Sequence, residues 1–134
     1  MSQDKRSALH LNGLPANLAV LGDGAFMRSG NNVIITELPP NLKELSSWSL
    51  SRCNGVNISQ FGTNTGEGLT TILTGALYES GPNVEEVYLG KSITTLGSIF
   101  NYNTTTGEIS NSSNFGAFSN YGKLSNLYSA NYAV

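Results

Sequence analysis

The sequence predicts a mainly β chain with short helical or 3-10 turns, wound as a solenoid of stacked short parallel strands. Three observations predict it. Residues 14–26 return as residues 38–50, with Leu14, Pro15, Asn17, Leu18 and Leu21 matched at the same offsets by Leu38, Pro39, Asn41, Leu42 and Leu45. Leu18, Leu42, Leu69 and Ile93 then form one column with separations of 24, 27 and 24 residues, and periods in the twenties mark stacked repeat units. Ahead of each unit runs a segment rich in β-branched residues, Val33-Ile34-Ile35, Val56-Asn57-Ile58 and residues 84–89, the composition of a strand.

In chain order, residues 1–7 are a polar tail and residues 8–134 a single domain. Leu9, Val33 and Val84 each stand five residues before Leu14, Leu38 and Leu89, and Val56 stands five before Phe61. These strand segments are expected to stack into a parallel sheet. Pro15 and Pro39 suit a corner, where no backbone N–H is needed for a ladder. Residues 18–21 and their equivalents then make a second short strand, and the Ala25-Phe26 segment a single helical or 3-10 turn. Gly22 and Gly97 directly follow Leu21 and Leu96, which suggests positive φ or a close backbone approach.

The third unit keeps Leu69, Ile72, Ala76 and Leu77. The fourth starts at Leu89 and regains Gly116-Ala117-Phe118 only after residues 99–115, which read as an inserted loop or hairpin rich in Asn, Thr, Ser and Gly. Phe26, Leu50, Leu77 and Phe118 thus form the bulkiest buried column. Each unit completes its core only against its neighbours.

This pattern resembles the BspA-type leucine-rich repeats, whose units run roughly Leu-x-x-Val-x-Ile-Pro-x-x-Val-x-x-Ile-Gly-x-x-Ala-Phe-x-x-Cys. Residues 84–97 match best, four repeats and a partial fifth cover residues 8–129, and Cys53 falls where that family often carries a buried Cys. Trp48-Ser49-Leu50 replaces the small-Ala-Phe corner, the loop of residues 62–68 is long, and residues 99–115 interrupt the last full unit. The resemblance implies a leucine-rich-repeat solenoid. Its register turns Glu37, Gln60, Tyr88 and Tyr128 outward as one stripe, with Glu86 and Asn126 beside it. Leu11, Ile35 and Ile58 occupy outward positions in the first three units, so a register slip is expected there.

Composition narrows the function. The chain has 134 residues, 39% apolar, with 7 basic and 9 acidic side chains and a net charge of −2. That balance gives no electrostatic reason to bind nucleic acid or an anionic membrane. Only 12% of residues are charged, against about 25% in typical soluble domains, so the surface is polar but weakly charged. No export signal opens the sequence and no run approaches the roughly 18 apolar residues of a membrane span. The expectation is cytoplasmic synthesis, with incorporation into a virion compatible with it. A single cysteine excludes an intrachain disulfide.

Catalytic chemistry finds no support. His10 is the only histidine, and beside Leu9 and Leu11 it is expected as an exposed strand or end residue. Glu85 and Glu86 are adjacent, so on a strand they face opposite sides. Residues 62–68, Gly-Thr-Asn-Thr-Gly-Glu-Gly, lack the Gly-Lys-Ser/Thr ending of a phosphate loop. Asn57, Asn103 and Asn111 fit the glycosylation pattern, which matters only on a secretory route. No catalytic residue, cofactor or metal set is expected.

A non-enzymatic recognition module is the reading, binding a protein or glycan through the sheet face or the inserted loop. The alternative is a structural subunit of a larger assembly, such as a phage tail, fibre or capsid attachment. The terminal units lack polar caps, so self-association or burial of both ends against a partner is expected.

Overall fold

The computed structural model describes residues 11–65, 67–97, 101–102, 109–110 and 117–129. Among them the chain is built from short strands, mostly in parallel sheets, with one 3-10 turn at Gly30–Asn32. The N-terminal tail, His10 and Leu9, and most of residues 99–115 lie outside the described residues.

Four two-residue strands make the first sheet: β2 (Val20–Leu21), β4 (Glu44–Leu45), β6 (Thr71–Ile72) and β8 (Thr95–Leu96). Leu21 pairs with Leu45, Leu45 with Ile72, and Ile72 with Leu96. Pleating alternates the faces, so Leu21, Leu45 and Ile72 are buried while Val20 is 50% exposed. These pairings carry the separations 24, 27 and 24 of the sequence column. Within that column Leu42, Leu69 and Ile93 are buried and Leu18 packs half-buried against them.

The second set of strands runs less evenly. β1 (Leu11–Asn12) pairs with β3 (Val33–Ile34), and Ile35 alone bridges to Val56. β5 (Gln60–Phe61), β7 (Glu86–Leu89) and β11 (Asn126–Ser129) form a three-stranded parallel sheet with β7 in the middle. Val33 therefore lies opposite Leu11, two residues beyond the Leu9 expected, and Val56 lies opposite Ile35 rather than Val33. A slip of two keeps every side chain on its own face, which is why apolar alternation tolerates it. Residues 56–58 contribute only the bridge, and the strand falls at Gln60–Phe61.

A third run of backbone hydrogen bonds joins the Ala-Phe segments. Phe26 N donates to Ser49 O at 2.9 Å, Leu50 N to Ala76 O at 2.8 Å, and Leu77 N to Ala117 O at 3.0 Å. Between these bonds the chain folds as linked β-turns instead of the helical or 3-10 turn expected. Ala25 N reaches Gly22 O, Ser49 N reaches Ser46 O and Ala76 N reaches Leu73 O. The third residue of each turn has positive φ, namely Gly24 (63°), Trp48 (61°) and Gly75 (69°). Left-handed residues recur at Arg28, Arg52, Glu79 and Asn120, and a helix cannot continue through them.

Leu50, Leu77 and Phe118 in the corner column are fully buried, but Phe26 is only half-buried. Phe26 stands in the first of these segments, with a described neighbour on one side alone. The two glycines also divide. Gly97 is packed so closely that a Cβ would come within 2.3 Å of Thr74 N, whereas Gly22 has open space, and neither has positive φ. Within residues 99–115, β9 (Asn101–Tyr102) pairs antiparallel with β10 (Ile109–Ser110). Ala117, the first described residue beyond, takes its place in the corner row through its bond from Leu77.

Cys53 is fully buried, its thiol on Phe26 O at 3.0 Å and its N–H donating to Ser80 Oγ at 2.9 Å. Burial pushes the thiol pKa up, against a smaller opposing pull from the backbone at Ser29. An inert structural thiol results.

Candidate binding surface

Strands β5, β7 and β11 present one row of side chains outward. On β7 the alternation is strict: Val87 and Leu89 are buried, Tyr88 is 42% exposed and Glu86 half-buried. Gln60, Tyr88 and Tyr128 lie directly opposite one another, and Glu86 lies opposite Asn126. Five of the six residues read from the sequence as an outward stripe thus meet on one sheet.

Pairing accounts for the geometry of the two tyrosines. Adjacent strands stand about 4.8 Å apart, and the Tyr88 and Tyr128 rings stack with centroids 4.9 Å apart and planes 12° from parallel. Tyr88 OH donates to Glu86 Oε2 at 2.5 Å. That bond to a carboxylate, more than burial, raises the Tyr88 pKa, and the phenol stays neutral while it orients Glu86. Gln60 Nε2 donates to Gly62 O at 3.1 Å, which fixes its amide beside the row. The face offers a stacked pair of tyrosine rings with the Glu86 carboxylate and the Gln60 amide beside it.

Glu37 does not belong to that row. The β3 segment ends at its bridge from Ile35, and Glu37 follows in a bend. Its backbone turns toward Pro39 and Pro40, so it has no strand position opposite Gln60. Instead Glu37 and Gln60 both line a groove of about 260 Å³ with Thr36, Pro39, Pro40 and Thr63. The loop of residues 62–68 shapes this groove: Thr63 N donates to Ser92 Oγ at 2.8 Å, and Lys91 N donates to Asn64 Oδ1 at 3.2 Å. Thr36, Pro40 and Thr63 are invisible as a set in the sequence, because two segments more than twenty residues apart bring them together.

Among the described residues no three His, Cys, Asp or Glu side chains converge as a metal site, and no helix is long and apolar enough to cross a membrane. Glu85, just ahead of β7, is exposed, and Glu86, the first residue of that strand, is half-buried. Compared with protein-family models, curated proteins and solved structures, the chain matches none.

Proposed function

We propose that this chain is a non-enzymatic recognition module, a BspA-like leucine-rich-repeat solenoid that binds a protein or glycan through the face of β5, β7 and β11. The observation that carries this reading is the stacked, solvent-facing Tyr88–Tyr128 pair. Tyrosine brings a large apolar area and a hydroxyl at modest entropic cost, and stacking pre-organises both rings before any partner arrives. The repeat separations of 24, 27 and 24 residues, shared by the sequence column and the strand pairs, support the solenoid.

The test is a glycan array and a panel of candidate protein partners, read with the intact chain and with a Tyr88→Ala, Tyr128→Ala double variant. Binding should fall by at least about tenfold in the double variant, since two hot-spot aromatics contribute well over 1.4 kcal/mol, while circular dichroism stays unchanged. Undiminished binding by the folded double variant moves the site away from this face.

A second reading, a structural subunit of a phage tail, fibre, capsid attachment or similar assembly, draws on the sheet edges. Among the described residues β11 pairs only with β7 and β1 only with β3, and an uncovered strand edge is a template for another chain. Sedimentation of the purified chain at high micromolar concentration separates the two: stable oligomers favour assembly, and a clean monomer favours the lone module.

A further inference from the structure

We propose that the groove beside Trp48 and Tyr78, on the turn side of the chain and apart from the tyrosine face, is a subsite for a saccharide ring bearing a carboxylate. Three independent features meet there.

The first is strain without burial to offset it. Trp48 occupies a left-handed position, φ 61°, where the neighbouring segments place Gly24 and Gly75. The backbone bonds from Gly24 N to Ser47 O and from Trp48 N to Thr74 O put the three in one column. A bulky residue in that region is an outlier that the surrounding structure must enforce. Core packing does not explain it, because Trp48 is only half-buried.

The second is the pose of the indole. A Cβ built on Gly75 would lie 2.4, 2.5 and 2.6 Å from three contiguous atoms of the six-membered ring. Near-equal distances of this kind mean approach to a ring face, so the indole lies flat on Gly75. Tyr78 meets it edge-on, centroids 5.8 Å apart at 84°. The two aromatics form a corner whose floor is the outer indole face, a surface suited to the apolar C–H face of a pyranose.

The third is charge. Arg28 and Arg52 occupy one column on adjacent segments, joined by Arg28 N to Ser51 O at 2.8 Å, and both line this groove of about 140 Å³ with Met27. Arg52 Nε is committed to Glu79 Oε1 at 2.7 Å and its guanidinium stands 5.9 Å from the Tyr78 ring centre. Arg28 makes no ion pair among the described residues. Two guanidinium groups against one carboxylate leave one positive charge in excess, on a chain whose net charge is −2. A guanidinium is a bidentate match for a carboxylate, so the ring stacks on Trp48 and its acid group pairs with Arg28.

Trp48 is the only tryptophan, so its emission reports on this groove alone. The full chain is titrated with a glucuronate-terminated oligosaccharide, with the neutral glucose-terminated counterpart, and with acetate. Expected is a saturable emission change with the acidic saccharide, at least about tenfold tighter than with the neutral sugar or acetate, as a charge-assisted pair implies. Arg28→Gln should erase that preference without changing the circular dichroism. Calorimetry of the same titrations guards against an optical artefact. Equal affinity for acidic and neutral sugars, no saturable response, or an unchanged Arg28→Gln variant overturns the proposal. The Tyr88→Ala, Tyr128→Ala variant should titrate like the parent; loss of the response there would assign it to the sheet face instead.

Discussion

The Tyr121 hydroxyl satisfies both backbone groups of Ile58, a residue 63 positions earlier: it accepts from Ile58 N at 2.9 Å and donates to Ile58 O at 2.7 Å. Ile58 sits where the second set of strands is interrupted, between the Ile35–Val56 bridge and β5. A neighbouring strand would ordinarily fill both bonds. Here one buried phenol does so, held by edge contacts with Phe61 at 6.3 Å and a tilted contact with Phe118 at 5.9 Å.

Tyr121→Phe keeps the ring and removes both bonds. Two buried backbone groups are then orphaned, and at about 1–3 kcal/mol each the loss should reach about 2–6 kcal/mol. Urea unfolding measures it, as a lower midpoint at unchanged slope. A loss under about 0.5 kcal/mol would mean that water replaces the phenol without penalty.

Alkaline pH should expose the same residue. Burial raises the Tyr121 pKa well above its ordinary value, with the bond to Ile58 opposing weakly. The unfolded chain releases that proton near pH ~10, so the contribution is complete below pH ~10 and is lost as pH rises beyond it. The slope should approach about 1.4 kcal/mol per pH unit. Cys53 acts in the same direction from about pH 8.5, because burial raises its pKa too. Stability curves at about pH 8, 9.5 and 11 for the parent, Tyr121→Phe and Cys53→Ala separate the two groups. An undiminished slope above pH ~10 in Tyr121→Phe would assign the loss to other residues.

Phe118→Ala and Phe26→Ala should differ, although the sequence places both in one column. Phe118 is fully buried and packs edge-on against Phe61 at 5.1 Å, so its truncation should cost about 3–5 kcal/mol. Phe26 is half-buried and should cost about 1–2 kcal/mol, roughly half a full burial. Equal losses in urea titrations would show that Phe26 is covered more deeply than its exposure indicates.

How much of this was legible varies with the physics of each position. Leu42, Leu69 and Ile93 were readable because burying one apolar side chain per layer forces a fixed period. The pairing of Leu11 with Val33 was not, since Leu9 and Leu11 share a face and alternation cannot choose between registers two apart. The β-turns leave little mark in the sequence because Arg28, Arg52, Glu79 and Asn120 hold left-handed φ without being glycine. Gln60, Tyr88 and Tyr128 align from their offsets, whereas Glu37 lies in the bend that leads into Pro39 and Pro40, and the repeat offsets do not show that the strand ends before it. Trp48, Tyr78, Arg28 and Arg52 converge from turns on three segments, and period-two strand patterning carries no information about turn side chains.

Ser49 offers a substitution expected to stabilise. Its hydroxyl is buried and finds no hydrogen-bond partner among the described residues. The same row is occupied by Ala25, Ala76 and Ala117, as the parallel bonds from Phe26 to Ser49, Leu50 to Ala76 and Leu77 to Ala117 show. The site therefore accepts a methyl group, and Ser49→Ala removes a desolvated hydroxyl with almost no change of volume. A gain of about 0.5–2 kcal/mol follows from the cost of an unmet buried polar group. Ser80 provides the contrast. Its hydroxyl accepts from Cys53 N and donates to Leu50 O, so Ser80→Ala should lose about 1–3 kcal/mol. The two variants, one serine to alanine each and both in the core, should move the urea midpoint in opposite directions. A destabilised Ser49→Ala would show that this hydroxyl has a partner after all, such as a buried water.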